Sequence, residues 1–217
     1  MFIGHFAVGL GAKKAAPRIK LGTLFFAAQF LDLLWPLLIL AGIEHVRINP
    51  HVIPFLRLEL YDYPVSHSLL TSLLWSGLIG SAYYLLHKNR RHAVILGCVV
   101  LSHWLLDFIS HVPDLPLAPG SSFYVGLGLW NSTVATIVIE SLLFIAGFVL
   151  YLRSTTAKDK TGVIALWTLV IFLAVSYISN IIAPPPADAG PVGWLALSMW
   201  IFIPWGNWID RHRASHE

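Results

Sequence analysis

The chain has 217 residues, 57% of them hydrophobic and only 12% charged. A soluble domain carries about 25% charged residues, so a soluble body of this size would lack the polar surface to cover itself, and the apolar excess equally excludes a disordered or fibrous chain. The net charge of +3 is not a nucleic-acid signature, and the single Cys98 lies in an apolar run and allows no intrachain disulfide.

In chain order, residues 2–11 form an apolar stretch too short to span a bilayer. Its charges follow rather than precede it, so it lacks the layout of a cleavable signal peptide. Gly4, Gly9 and Gly11 allow close packing on another helix, and the segment reads as a half-helix dipping in from the cytoplasmic side. Six segments then approach the roughly 20 apolar residues that a spanning helix needs: Leu21–Ile43, His67–His87, Ala93–Val112, Trp130–Leu152, Gly162–Ala183 and Val192–Trp208. The expected fold is an all-α integral membrane protein. It comprises one membrane domain over 1–217, with six transmembrane helices and a short N-terminal re-entrant or interfacial half-helix.

The basic residues suggest an orientation. Lys13, Lys14, Arg18, Lys20, Lys88, Arg90, Arg91, Arg153, Lys158, Lys160, Arg211 and Arg213 fall in alternate connections, and the other connections hold only Arg47 and Arg57. The positive-inside rule then puts both termini in the cytoplasm, as in a bacterial inner-membrane protein, with residues 44–66, 113–129 and 184–191 outside. Trp130, Trp194 and Trp208 fall near span ends, where an amphipathic ring prefers the interface. Trp35, Trp75, Trp104 and Trp167 lie deeper and are expected to pack between helices.

Ionisable groups at bilayer depth are costly and usually face a cavity or a partner. The apolar segments contain His5, Asp32, His67, His103, Asp107 and Glu140, with His111 and Asp114 near the outer end of the third span. His103 and Asp107 are four apart, which a helix places one turn apart on one face. An imidazole and a carboxylate at that spacing can share a metal ion, or can simply hydrogen-bond and hold two helices together. At a rise of about 1.5 Å per residue, Asp107, His103, Asp32 and Glu140 lie roughly 7, 13, 16 and 18 Å below the outer ends of their spans, and His5 reaches about 12 Å inward from Lys13. His67 opens the second span at the outer mouth. All six groups therefore converge in one cavity, a coincidence that independent structural residues would not require.

Each position also has a plainer reading. Asp32 precedes Pro36 by four residues, and a proline kink would open the helix around its carboxylate; a protonated Asp32 bonded to Gln29 is the alternative. Pro64 makes a sound helix start before His67, with Ser66 or Ser68 available to orient the imidazole. Glu140, flanked by apolar residues, is a candidate base, a ligand, or a partner for Arg or His. Asn131, Ser132 and Thr133 read as a helix cap. The remaining loop histidines read as solvated.

With these residues in hand, the chain resembles the membrane-bound metal-dependent hydrolase family, also described as LexA-binding inner-membrane hydrolases. The family's N-terminal Gly-His is matched by Gly4 and His5, and its Ser-His-x-x-x-Asp by Ser102, His103 and Asp107. Its Pro-Asp-x-Asp-His is met only by Asp32, with Leu34 and Trp35 where the second Asp and the His would stand. Its His-Arg-Gly-x-Thr-His-Ser is met by residues 62–68, with Asp62 at the first position and His67 and Ser68 at the last two. The resemblance covers residues 1–115 and makes this a divergent member, in which Asp62 is a candidate substitute for the missing ligand.

The expected function is a membrane-embedded metal-dependent hydrolase acting on a lipid or lipid-linked ester or phosphoester. His5, Asp32, His67, His103 and Asp107 would hold a divalent ion, most readily zinc, with Glu140 and Asp32 as catalytic carboxylates. The competing reading is a proton or divalent-metal transporter that uses the same His/Asp cluster. The expected partners are membrane lipids and a lipid-like substrate, with no nucleic acid. The topology is checked by reporter fusions after Pro184 and at Glu217, which should report opposite sides of the membrane.

Overall fold

The computed structural model describes residues 1–216, and it is all-helical apart from three two-stranded ribbons. α1 (Ile3–Ala15) is the innermost element. It is apolar along most of its length and on more than one face, which suits a helix surrounded by others, and its buried residues run from Ile3 to Lys13. It packs against α7 (Thr133–Ser154), α2 (Leu21–Ala28) and α6 (Arg90–Ser110). Thirteen residues span about 20 Å, short of a bilayer core, so the half-helix expected from the sequence is present and extends to Ala15.

Four helices are long and apolar enough to cross a membrane. They are α5 (Leu69–His87), α6, α7 and α8 (Lys160–Ile182), and they match the second to fifth expected segments to within a few residues. Their ends follow local chemistry. Ser68, Asn89, Ser132 and Asp159 cap α5, α6, α7 and α8 by accepting a backbone N–H with the side chain, and α5 ends on left-handed Lys88. α5 turns nearly all its surface outward, with Leu74, Leu78, Leu85 and Leu86 more than half exposed. Such a face requires an apolar solvent.

The first expected span is broken. α2 and α3 (Phe30–Leu40) meet at Gln29 with a bend of 59°, and they count as a fifth span only if taken together. The bend lies before Asp32, not at Pro36, which sits inside α3. Asp32 is therefore in the first turn of a new helix. Gln29 is buried with neither amide atom bonded, so it is not the partner of Asp32. The sixth expected segment is also divided, into α9 (Gly190–Leu197), a 3₁₀ turn over Ser198–Ile201 and α10 (Phe202–Arg211), and it does not form one helix of spanning length.

Between these helices, β1 (His45–Ile48) pairs antiparallel with β2 (Leu58–Asp62), and the one-turn α4 (Pro64–His67) follows. β3 (Leu115–Pro116) pairs with β4 (Tyr124–Val125), and β5 (Thr155–Ala157) with β6 (Arg213–Ser215). Phe6, Leu10, Phe25, Phe144, Leu169 and Phe202 form the main core around α1, and a second apolar group joins Leu31, Trp35, Tyr63, Trp104 and Leu115 beneath the ribbons. Trp35 and Trp104 are buried as expected, whereas Trp167 is 48% exposed.

The closest backbone approach to α1 comes from α7. A Cβ on Gly147 would fall on the carbonyl oxygen of Ala7, whereas one on Gly77 would meet nothing within 4 Å. Gly147→Ala should lower stability by about 1–3 kcal/mol through overpacking, and Gly77→Ala should not lower it. Thermal melts in one detergent compare them directly.

Candidate metal centre

Four elements deliver the polar residues to one point. α1 brings His5, α3 Asp32, α4 His67, and α6 both His103 and Asp107. The ligand-capable atoms fall into two overlapping groups, His5–His103–Asp107 and Asp32–His67–His103, each with all atoms within 4.8 Å of one another. All five residues proposed from the sequence as ligands thus meet.

Asp107 is the hub. Its Oδ1 lies 3.1 Å from His5 Nε2 and 2.6 Å from the Met1 α-amino group, and its Oδ2 lies 3.2 Å from His103 Nε2 and 3.8 Å from His67 Nε2. The His5 and His103 rings stack in parallel, with centroids 3.6 Å apart and planes at 4°. Each therefore addresses its own oxygen of the carboxylate. Asp32 Oδ1 completes the set at 3.4 Å from His67 Nε2 and 3.6 Å from His103 Nε2.

The hydrogen bonds behind these rings assign their protons. His103 Nδ1 lies 2.8 Å from the Ala28 carbonyl, which can only accept, so Nδ1 carries hydrogen. The bend at Gln29 leaves that carbonyl available. For His67 the chain is longer. Glu44, fully buried, accepts from the Val65 and Ser66 amides and, at 2.6 Å, from the Ser66 hydroxyl. That hydroxyl then accepts from His67 Nδ1 at 2.7 Å. Both rings therefore turn Nε2 inward, as a lone pair in the neutral ring or as an N–H in the charged one. His103 Nε2 is buried without a hydrogen-bond partner, and the oxygens nearest it belong to carboxylates. A proton or a metal ion placed between Nε2 and these carboxylate oxygens satisfies both sides. On this count the residues fit a divalent ion, with imidazole and carboxylate donors and carbonyl or carboxylate acceptors behind the rings. Nothing in the donor set singles out zinc.

A further polar layer lies next to Asp107. His111 Nε2 is 3.8 Å from Asp107 Oδ1, and its Nδ1 is 2.9 Å from Asp114 Oδ1, which also accepts from the Tyr63 hydroxyl at 3.0 Å. Burial first, and the Asp114 carboxylate next, push the Tyr63 phenol well above its ordinary pKa, so it stays a donor.

Two residues singled out in the sequence serve elsewhere. Glu140 Oε2 accepts from the backbone of Phe2 at 3.0 Å and of Gly4 at 3.4 Å. It lies in neither group of ligand atoms. α1 has no side-chain cap of its own, so Glu140 supplies the anion that its exposed N–H groups and dipole favour. Through these bonds it docks α1. Asp62 pairs with His45 at 2.7 Å on the open ribbon and takes no part in the cluster. Sequence reasoning missed Glu44, Tyr63 and the Met1 amine. Glu44 and Tyr63 lie in the connection between α3 and α4, where a solvated role is the default, and no local spacing connects any of the three to the cluster.

No family model, curated protein or solved structure compared with the chain matches it.

Glu44→Ala and Ser66→Ala should each weaken divalent-ion binding about 10–100-fold by releasing the His67 ring, while His103→Ala should abolish it. Metal titration of protein with an unchanged helical spectrum measures all three.

Proposed function

We propose that this protein is a membrane-embedded metal-dependent hydrolase of the family that its motifs resemble, acting on a lipid or lipid-linked ester or phosphoester. The observation that carries the reading is the orphaned His103 Nε2, held between Asp32 and Asp107 with its other nitrogen locked on Ala28. His5, Asp32, His67, His103 and Asp107 hold the ion; zinc is the ion proposed, one of several divalent ions that imidazole and carboxylate donors accept. A bound ion of this kind supplies Lewis acidity, which polarises a carbonyl or phosphoryl oxygen and acidifies water.

The chain's own residues do the rest. Burial of His5, His67, His103 and Asp107 excludes bulk water, which strengthens the electrostatic forces on a reacting group. The Asp32 side chain is 27% exposed, while those of His5, His67, His103 and Asp107 are 5% exposed or less. Asp32 is therefore the most accessible of the five and takes the part of general base that the sequence had assigned jointly to Glu140. Glu140 acts through α1, which it holds so that His5 faces Asp107. The full set of six spans, with both termini in the cytoplasm of a bacterial inner membrane, belongs to the same proposal. In it, α2 with α3 forms a bent span and α9 through α10 an interrupted one.

Purified protein in lipid nanodiscs should hold a divalent ion and hydrolyse members of a panel of lipid esters and phosphoesters. Asp32→Asn should lower turnover about 10²–10⁴-fold, and His67→Ala should abolish it, both in protein that melts normally. Ion or proton flux in proteoliposomes without turnover on any of the panel would replace the hydrolase with a transporter.

A further inference from the structure

The far end of α1 from His5 borders a second polar site. A recess of about 290 Å³ opens there, lined by Lys13, Arg18, Lys20, Arg211 and Arg213, with Asp210 the one carboxylate among its described lining residues. Lys13 lies eight residues along α1 from His5, about 12 Å away. The recess is therefore distinct from the metal centre.

Arg18 has a partner of its own; the other lining cations, Lys13, Lys20, Arg211 and Arg213, outnumber the carboxylate. Asp210 Oδ2 is already engaged by Lys13 Nζ and by the Leu21 amide, each at 2.7 Å, and Lys13 makes a further bond to the Ile19 carbonyl. Arg213 is 8% exposed, and its bonds go to neutral oxygens: Thr155 Oγ1 at 3.1 Å, the Thr155 carbonyl at 3.1 Å and the Gly162 carbonyl at 3.3 Å. Among the described residues no carboxylate lies within 4 Å of Lys20, Arg211 or Arg213. A buried guanidinium without a counter-charge is costly. The positive-inside tendency accounts for cations on this face, but it asks only that they be solvated. It does not call for a walled recess with one of them buried against neutral oxygens.

We propose that this recess binds the phosphate group of an anionic membrane lipid. A phosphodiester brings one negative charge and unprotonated oxygens, which suit guanidinium and ammonium donors. The recess lies where α1, α2 and α10 end. Basic pockets between helices on the cytoplasmic side of a membrane are suited to such headgroups. The phosphate joins Lys13 of α1, Lys20 at the start of α2 and Arg211 at the end of α10, and so braces the inserted helix.

The test uses the full chain in nanodiscs of phosphatidylcholine alone or mixed with phosphatidylglycerol, with Lys20→Gln, Arg211→Gln and the double variant. Lys13 and Arg213 are left intact because they also support the fold. Phosphatidylglycerol should raise the melting temperature of the wild type and remain bound to it through delipidation, as read by native mass spectrometry. Each substitution should weaken its retention about five-fold, with melting in pure phosphatidylcholine unchanged. A third arm adds inorganic phosphate to the phosphatidylcholine discs. Equal stabilisation by phosphate, without selective retention of phosphatidylglycerol, would assign the recess to a soluble anion and overturn the lipid. Equal retention of both lipids by the wild type, or undiminished retention in the double variant, would overturn the site altogether.

Discussion

The Asp107 carboxylate organises this protein. It is 2% exposed in a chain whose outer surface is built for hydrocarbon, and a carboxylate at that depth persists only if its oxygens are surrounded by donors or cations. The structure meets that need from every direction. The Met1 amine and His5 approach one oxygen, and His103 and His67 approach the other. They come from the N-terminal segment for Met1 and His5, from α4 for His67, and from α6 itself for His103, one turn away. The demand of one buried charge thus explains why a short helix is driven into the middle of the bundle and why a one-turn helix leaves the outer ribbon to bring His67 inward.

Two irregularities make the convergence possible. The break at Gln29 turns the chain through 59°, starts a new helix just before Asp32 and leaves the Ala28 carbonyl to fix the tautomer of His103. A straight span would carry Asp32 on its side and use that carbonyl within its own hydrogen-bond ladder. The second irregularity is the placement of α1. Its N-terminal amides would be orphaned inside the bundle, and Glu140 of α7 accepts from them. Its apolar sides are approached closely through Gly147. The anion that looked catalytic in the sequence is therefore the anchor that places a histidine.

The His/Asp cluster at one end of α1 gathers carboxylates and imidazoles that suit a cation, and within it exposure rises from His103 to Asp32. The basic recess at the other end of α1 has the opposite polarity and suits an anion. The two ends of one inserted helix thus present complementary electrostatics, joined by the apolar body of Phe6 and Leu10.

The amino-acid sequence by itself determined the class of the fold, four of the long helices and the identity of the five converging residues. Apolar runs report transfer into lipid directly, and an ionisable residue inside such a run is expensive enough to mark itself. The i, i+4 spacing of His103 and Asp107 needed no tertiary knowledge. Only the tertiary structure decided the break at Gln29, the division of the last segment, the anchoring task of Glu140 and the peripheral place of Asp62. It also decided the support given to His67 by Glu44. Those features depend on which distant group completes a hydrogen bond, as Glu140 does for Phe2 and His103 for Ala28. Neither hydropathy nor spacing along the chain carries that information.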